Sequence, residues 1–198
     1  MNKARAKHFS QACENNKQPI LDELKRVFAN HKRVLEIGSG SGQHAVFFAP
    51  RLPHLHWHTS DVEENHPSIL AWQDEQPADN LCPPIGFKIG RDPWPALPFD
   101  GVFTANTSHI MQPLEVQTML QLVGEYLPTG GVFCQYGPFN IDGHYSSESN
   151  ERFDQYLLNE GYGGIRDIAE LREWATRLSL QEKIQLPANN LLLVWHRD

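Results

Sequence analysis

At 198 residues, with 40% hydrophobic and 21% charged side chains, the chain has the make-up of one globular domain and is long enough to bury a core. Its 17 Lys and Arg stand against 24 Asp and Glu for a net charge of −7, and the basic residues form no run beyond the amino-terminal tail (Lys3, Arg5, Lys7), which disfavours a nucleic-acid partner. No apolar run approaches the roughly 18–20 residues of a membrane helix, no apolar segment follows the basic start as a secretory signal requires, and Cys13, Cys82 and Cys134 are too widely spaced for a metal motif or a disulfide framework, so a cytoplasmic protein with no membrane attachment is expected.

The spacing predicts a helix over Pro19 to Ala29, with Pro19 in its first turn and Ile20, Leu24, Val27 and Phe28 on one face. A short apolar strand, Arg33 to Ile37, runs into a glycine-rich turn and a helix from about Gln43 to Arg51. Leu55 to Ser60 reads as a second strand and Pro67 to Gln76 as a helix. A loop around Pro83-Pro84 leads to a third strand, Ile85 to Ile89, and Asp100 to Ala105 is a fourth. Glu115 to Leu127 is a helix that stops before Pro128, Gly130 and Gly131, and Val132 to Tyr136 is a fifth strand. The pattern then loosens from Gly137 to about Gly164, with a polar run over 146–150 and a helix through Leu158. Asp167 with Glu170 fits a capping box opening a helix to Leu178. Two strands, Leu180 to Leu186 and Leu191 to His196, end the chain with Pro187-Ala188-Asn189-Asn190 turning between them.

Strands alternating with helices imply an α/β fold: a doubly wound, mostly parallel, seven-stranded sheet whose last two strands pair as an antiparallel hairpin. Residues 1–198 are expected to form a single domain, with an amino-terminal segment and helix over 1–30 and an insertion over 137–166 that covers the active site. In such sheets the ligand sits beyond the carboxyl ends of the strands.

Val34-Leu35-Glu36-Ile37-Gly38-Ser39-Gly40-Ser41-Gly42 places three glycines between a strand and a helix, where missing side chains admit positive φ and close approach of a ligand. Asp61, directly after the second strand, is either a ribose ligand or a turn aspartate that caps the next helix. A dinucleotide loop has glycine or alanine where Gln43 stands, and Glu36 would crowd a pyrophosphate but suits a ligand bearing an ammonium group. His54, His56 and His58 alternate along the second strand, but same-face neighbours roughly 6–7 Å apart make no compact site, so no metal is expected. His109, after the fourth strand, is placed as a base or substrate clamp, and Tyr136 as either a pocket wall or a packed tyrosine. Arg166, Asn189 and Asn190 either brace turns or face substrate, and Ser147 to Asp154 is either a substrate cover or a solvated linker.

The run Glu-x-Gly-x-Gly-x-Gly over 36–42 resembles the first motif of class I S-adenosylmethionine-dependent methyltransferases. The resemblance implies a Rossmann-like methyltransferase fold in which Glu36, Gly38, Ser39, Gly40 and Gly42 face the methionine part of the cofactor and Asp61 holds the ribose. It also implies that Asp92 meets the adenine, that Trp94 covers the ring, and that Asn106 ends the fourth strand beside the reacting methyl group. Asp92 as a loop aspartate beside a core tryptophan is the competing reading.

A closer resemblance rests on Asn16-Lys17-Gln18-Pro19-Ile20, Ser147-Glu148-Ser149-Asn150 with Phe153-Asp154, Gly164-Ile165-Arg166-Asp167, and Pro187-Ala188-Asn189-Asn190. These are similar to a family of methyltransferase-like proteins classed as a domain of unknown function. One departure is Asn159-Glu160-Gly161-Tyr162-Gly163, where that family has a more acidic, proline-containing turn. The expectation is a methyltransferase that uses S-adenosyl-L-methionine on a small molecule, with Asn106, His109 and Tyr136 as catalytic candidates and Asn16, Lys17, Ser149, Asn150, Arg166, Asn189 and Asn190 on the substrate side. Two other functions compete: a non-catalytic module that senses the same cofactor, and a nicotinamide-dependent oxidoreductase.

Overall fold

A computed structural model describes residues 7–198. Lys3 and Arg5 of the basic tail lie outside the described residues. The elements follow in the order α1 (Gln11–Val27), β1 (Arg33–Ile37), α2 (Gln43–Phe48), β2 (His56–Asp61), α3 (His66–Glu75), β3 (Leu81–Gly86), β4 (Gly101–Ala105), α4 (Pro113–Tyr126), β5 (Val132–Gly137), β6 (Phe139–Asn140), α5 (Glu148–Asn159), β7 (Arg166–Asp167), α6 (Ile168–Trp174), β8 (Leu178–Leu186) and β9 (Asn190–Arg197). Seven strands form one sheet in the order β3-β2-β1-β4-β5-β9-β8, and β6 pairs with β7 separately. The chain divides into two compact units, one up to Phe103 and one over Thr104–Asp198.

In the first unit β1 and β2 run parallel, with Glu36 opposite Thr59 and Ile37 opposite Ser60, which brings the end of β1 level with Asp61. β3 joins β2 in parallel through Leu81 to Gly86. The sequence pattern predicts this strand at Ile85 to Ile89, with Pro83-Pro84 in a loop. Proline is tolerated there because β3 is an edge strand and needs N–H donors on one side only. α1 begins at Gln11, eight residues before Pro19: Ser10 caps it by accepting the Cys13 N–H, and Pro19 lies inside the helix. An interior proline costs about 3 kcal/mol, offset here by the fully buried Ile20, Leu21 and Leu24 that follow it. Phe48, Trp57 and Phe103 form an aromatic cluster with centroids 5.5–5.6 Å apart. His54 lies in the turn before β2, with Nε2 3.0 Å from the Phe28 carbonyl oxygen, so only His56 and His58 of the three expected histidines share the strand.

In the second unit β5 pairs antiparallel with β9, and β9 with β8, as the lack of an intervening helix predicts. β8 begins at Leu178 because α6 ends at Trp174, four residues short of its expected end. Asp167 does cap α6: its side chain accepts the Ala169 N–H, and Glu170 reaches back to the Asp167 N–H. The short pair β6–β7 sets Phe139 beside Arg166 and Asn140 beside Asp167, within the stretch that read as irregular.

Candidate functional site

The glycine loop between β1 and α2 is held by hydrogen bonds from beneath. Gly38, Gly40 and Gly42 all have positive φ, at 71°, 56° and 95°. Gly42 must also be small: a Cβ there would stand 2.9 Å from the Ile69 Cα. A Cβ at Gly40 meets nothing within 4 Å, so that stretch of backbone is open. Ser39 is bound twice to β2, its N–H donating to the Ser60 carbonyl at 3.0 Å and its Oγ accepting the Ser60 N–H at 3.1 Å. Asp61 accepts the Gly40 N–H on Oδ2 at 2.7 Å, and on Oδ1 the Val62 N–H at 2.7 Å and the Asn65 amide at 2.9 Å. It caps its own turn and it clasps the loop, and Oδ2 carries one protein donor where it has room for two.

Glu36 is only 2% exposed and sits among the buried Val34, Leu35 and Ile37 of its strand. Its Oε2 accepts from Ser39 Oγ and from Trp57 Nε1, both at 3.0 Å. Burial pushes its pKa up to about 7, against those two donors, with the Asp61 charge adding to the rise. Trp57 was missed by sequence reasoning, although a glutamate inside Val34-Leu35-Glu36-Ile37 signals that some neighbour must supply donors.

Gln43, noted only as a departure from a dinucleotide loop, joins the loop to α1. Its amide oxygen accepts the Ser10 N–H and the Ser41 hydroxyl, and its NH2 donates to Glu14 at 2.9 Å and to the Ser10 carbonyl at 3.3 Å. Beside it Asn16 and His44 are both buried, with Asn16 Oδ1 2.7 Å from His44 Nε2. Burial lowers the His44 pKa to about 4. Lys17 pairs with Glu14 and lies over the Phe47 ring. The structure thus gives Asn16 and Lys17 partners within α1 and α2. Asp92 closes its own turn: Oδ2 accepts the Lys88 N–H at 2.8 Å and both oxygens take Arg91 donors, which hold its pKa below the usual carboxylate range. Trp94 packs edge-on against Phe87 at 5.8 Å and Phe99 at 6.4 Å.

In the second unit Asn106, His109 and Gly137 come together. Asn106 ends β4 with φ 57°, and its N–H donates to the Tyr136 carbonyl at 2.9 Å. A Cβ at Gly137 would lie 3.8 Å from Asn106 Oδ1, 3.9 Å from His109 Nδ1 and 4.0 Å from the Phe139 ring. Two polar side chains and one aromatic ring thus close around Gly137 at ordinary contact distance. His109 is 6% exposed, stands 5.3 Å from the Phe153 ring, and has its pKa lowered to about 4 by burial, with Asp154 opposing. Tyr136 is buried and its hydroxyl accepts from Asn190 at 3.0 Å. Asn150 donates to Ser146 Oγ and to the Asn189 carbonyl, and Ser149 bonds Ser147, so the start of α5 is tied to the β8–β9 turn.

Arg166 and Asp154 organise the segment before β7. Asp154 accepts the Ile165 N–H at 2.6 Å and the Tyr145 hydroxyl at 2.7 Å. Arg166 donates from Nε to the Gly164 carbonyl at 3.2 Å and from Nη2 to the Gly163 carbonyl. The Gly164 N–H reaches the His109 carbonyl at 3.0 Å, and a Cβ at Gly163 would overlap the Met111 carbonyl oxygen. Glycine at 163 is therefore required by contact.

Solved structures at low identity share this fold. Human N-acetylserotonin methyltransferase in complex with SAM aligns with a TM-score of 0.79 at 12% identity over 94% of this chain and 53% of that one. PigF with SAH aligns with a TM-score of 0.77 at 18% identity, over 90% of this chain and 55% of PigF. An O-methyltransferase family 2 protein from Planctomyces limnophilus, in complex with apigenin, aligns with a TM-score of 0.74 at 15% identity, over 93% and 62% of the two chains. The chain thus spans a little over half the length of these structures, and the fold is that of Rossmann-like methyltransferases. The family described as "Protein of unknown function (DUF938)" matches residues 7–197, and the chain belongs to that family.

Proposed function

We propose that this protein binds S-adenosylmethionine on the loop over 38–42 and transfers its methyl group to a small molecule. The observation that carries the reading is the clasp of Asp61 on Gly40 beneath a loop whose three glycines have positive φ. The residues fit such a ligand. Backbone at Gly40 is open, Oδ2 of Asp61 keeps a lone pair for one ribose hydroxyl, and Glu36 supplies an anion for an ammonium group. The folds solved with SAM and SAH support the choice of cofactor. Gln43 argues against a dinucleotide, because its amide is engaged with Ser10 and Glu14 where a pyrophosphate loop needs a small residue.

Bound S-adenosylmethionine supplies an activated methyl group, so the protein's work is positioning and exclusion of water. On this reading Asp92 and Trp94 serve the adenine end. Asn106 and Tyr136 orient the acceptor side, and the segment 137–166 with Ser149, Asn150, Asn189 and Asn190 covers it. His109, neutral at pH 7, takes up a proton on its free ring nitrogen where the methyl acceptor carries one. Calorimetry with S-adenosylmethionine, S-adenosylhomocysteine and a nicotinamide dinucleotide tests the reading. Binding of the dinucleotide alone ends it, while binding of the sulfonium compound with no methylated product from a labelled-methyl metabolite screen leaves a sensor module.

A further inference from the structure

We propose that Arg166 anchors a carboxylate on the acceptor, so that the substrate is an acidic small molecule; this rests on the methyltransferase reading. Arg166 is a cation at 9% exposure, and among the described residues no acidic side chain pairs with it. Asp154, the acid of the adjoining segment, spends one oxygen on the Ile165 N–H and the other on the Tyr145 hydroxyl. A buried charge without a counter-ion is costly unless a ligand supplies one.

The geometry of the guanidinium narrows the ligand. Its two protein bonds, Nε to the Gly164 carbonyl and Nη2 to the Gly163 carbonyl, occupy one edge of the planar fork. The other edge, with parallel N–H groups on Nη1 and Nη2, takes no protein acceptor. Two parallel donors match the two oxygens of a carboxylate. Nη1 has no partner yet is not sealed away as a buried unpartnered atom, so it keeps contact with solvent. The carbonyls fix the guanidinium in place, since Gly163 and Gly164 are themselves pinned to Met111 and His109. Phe139, the register neighbour of Arg166, also lies beside Gly137, next to Asn106 and His109. His109 and Asn106, in the same unit and one residue pair removed from Arg166 through Phe139, are the groups assigned to the other end of such an acid.

The test uses the full chain with benzoate, benzamide and inorganic phosphate as probes, each titrated by ligand-observed NMR with and without S-adenosylhomocysteine. Benzoate is expected to bind with a dissociation constant of about 1–10 mM, the range of one bidentate charged contact, and benzamide at least tenfold more weakly. Arg166→Met should remove that preference. Arg166→Lys, which keeps a donor for the carbonyls but loses the fork, should fold and reduce the preference severalfold. Equal binding of benzoate and benzamide, an unchanged preference in folded Arg166→Lys, or a response to phosphate alone overturns the proposal. Binding of S-adenosylhomocysteine, read in the same samples, separates the failures. If it binds and benzoate does not, the acidic acceptor falls alone. If benzoate binds through Arg166 and S-adenosylhomocysteine does not, the methyltransferase reading falls.

Discussion

The Asp61 carboxylate reaches across from the end of β2 to take the backbone N–H of Gly40 at 2.7 Å, so the residue expected to hold a ribose also shapes the loop expected to hold the rest of the cofactor. Asp61→Ala should therefore act twice. Losing a charged hydrogen bond to the ligand weakens S-adenosylhomocysteine by about 1.5–3 kcal/mol, roughly ten- to a hundred-and-fifty-fold. Losing the bonds to Gly40, Val62 and Asn65 lowers the melting temperature of the free protein as well. Asp61→Asn keeps an acceptor for one side of that set. It should recover part of the stability and little of the affinity. Equal affinity in a folded Asp61→Ala would reduce the residue to a turn cap.

Two glycines of the same loop should separate stability from binding. Gly42→Ala drives a Cβ to within 2.9 Å of the Ile69 backbone at φ 95°, and should cost about 1–3 kcal/mol of folding stability. Gly40→Ala meets open space at φ 56° and costs about 1 kcal/mol, but its methyl group stands where the ligand approaches. Thermal unfolding and calorimetry together check the contrast. A Gly40→Ala protein that binds S-adenosylhomocysteine like wild type would show that the open backbone is not the ligand face.

The strand–glycine loop–helix unit was legible because it rests on local rules: an apolar run, small residues needing positive φ, and a polar residue at the next strand end. The same holds for the capping box at Asp167 and Glu170. What local rules missed were choices made by distant neighbours. Pro83-Pro84 reads as a loop until the strand is known to lie at the sheet edge, and α1 reads as starting at Pro19 until Ser10 is seen held by Gln43, 33 residues away. Trp57 as a donor to Glu36 and Gly163 against Met111 are likewise contacts between separated segments. No period in the sequence carries them.

Glu36 should make stability fall with rising pH. Its folded pKa of about 7 lies above the ordinary 4.5, so the stability that it contributes is complete below pH 4.5 and is lost as pH rises through 7. The full effect is roughly 3 kcal/mol, at 1.36 kcal/mol per unit. Glu36→Gln presents an amide oxygen to Ser39 and Trp57 and has no proton to lose. Its melting temperature relative to wild type should climb from pH 5 to pH 8. A cationic ligand near the carboxylate should also expel its proton, so calorimetric heats near pH 6.5 should vary with buffer ionisation enthalpy in wild type and not in the variant. Parallel unfolding curves and buffer-independent heats would mean an ionised Glu36 throughout.

His44 works in the opposite direction, in the same unit. Burial lowers its pKa from 6.5 to about 4, so the unfolded chain takes up a proton that the folded one refuses, and stability drains away as pH falls from 6.5 through 4. The imidazole stacks on Phe48 at 5.2 Å and meets Phe103 edge-on at 6.1 Å, with Asn16 Oδ1 at Nε2 and Cys13 Sγ 3.9 Å from Nδ1. Glu14 favours the proton and Lys17 opposes it, but neither outweighs the loss of solvent. His109 adds a second loss over the same window. Glu36 offsets part of it, because its protonation in acid is favourable when folded. Wild-type stability against pH should therefore pass through a shallow maximum and drop toward pH 4, a net loss of roughly one buried histidine, about 3 kcal/mol. Replacing His44 alone would strand the Asn16 amide, so the informative protein is the double variant Asn16→Leu with His44→Phe, which exchanges a buried polar pair for apolar groups of similar size and should fold nearly as stably at pH 7. Its acid limb should be shallower than that of wild type between pH 6.5 and 4, by about the contribution of one histidine. Chemical denaturation at a series of pH values measures this directly, and an acid limb as steep as wild type would show that His44 titrates in the folded protein as it does in the unfolded chain.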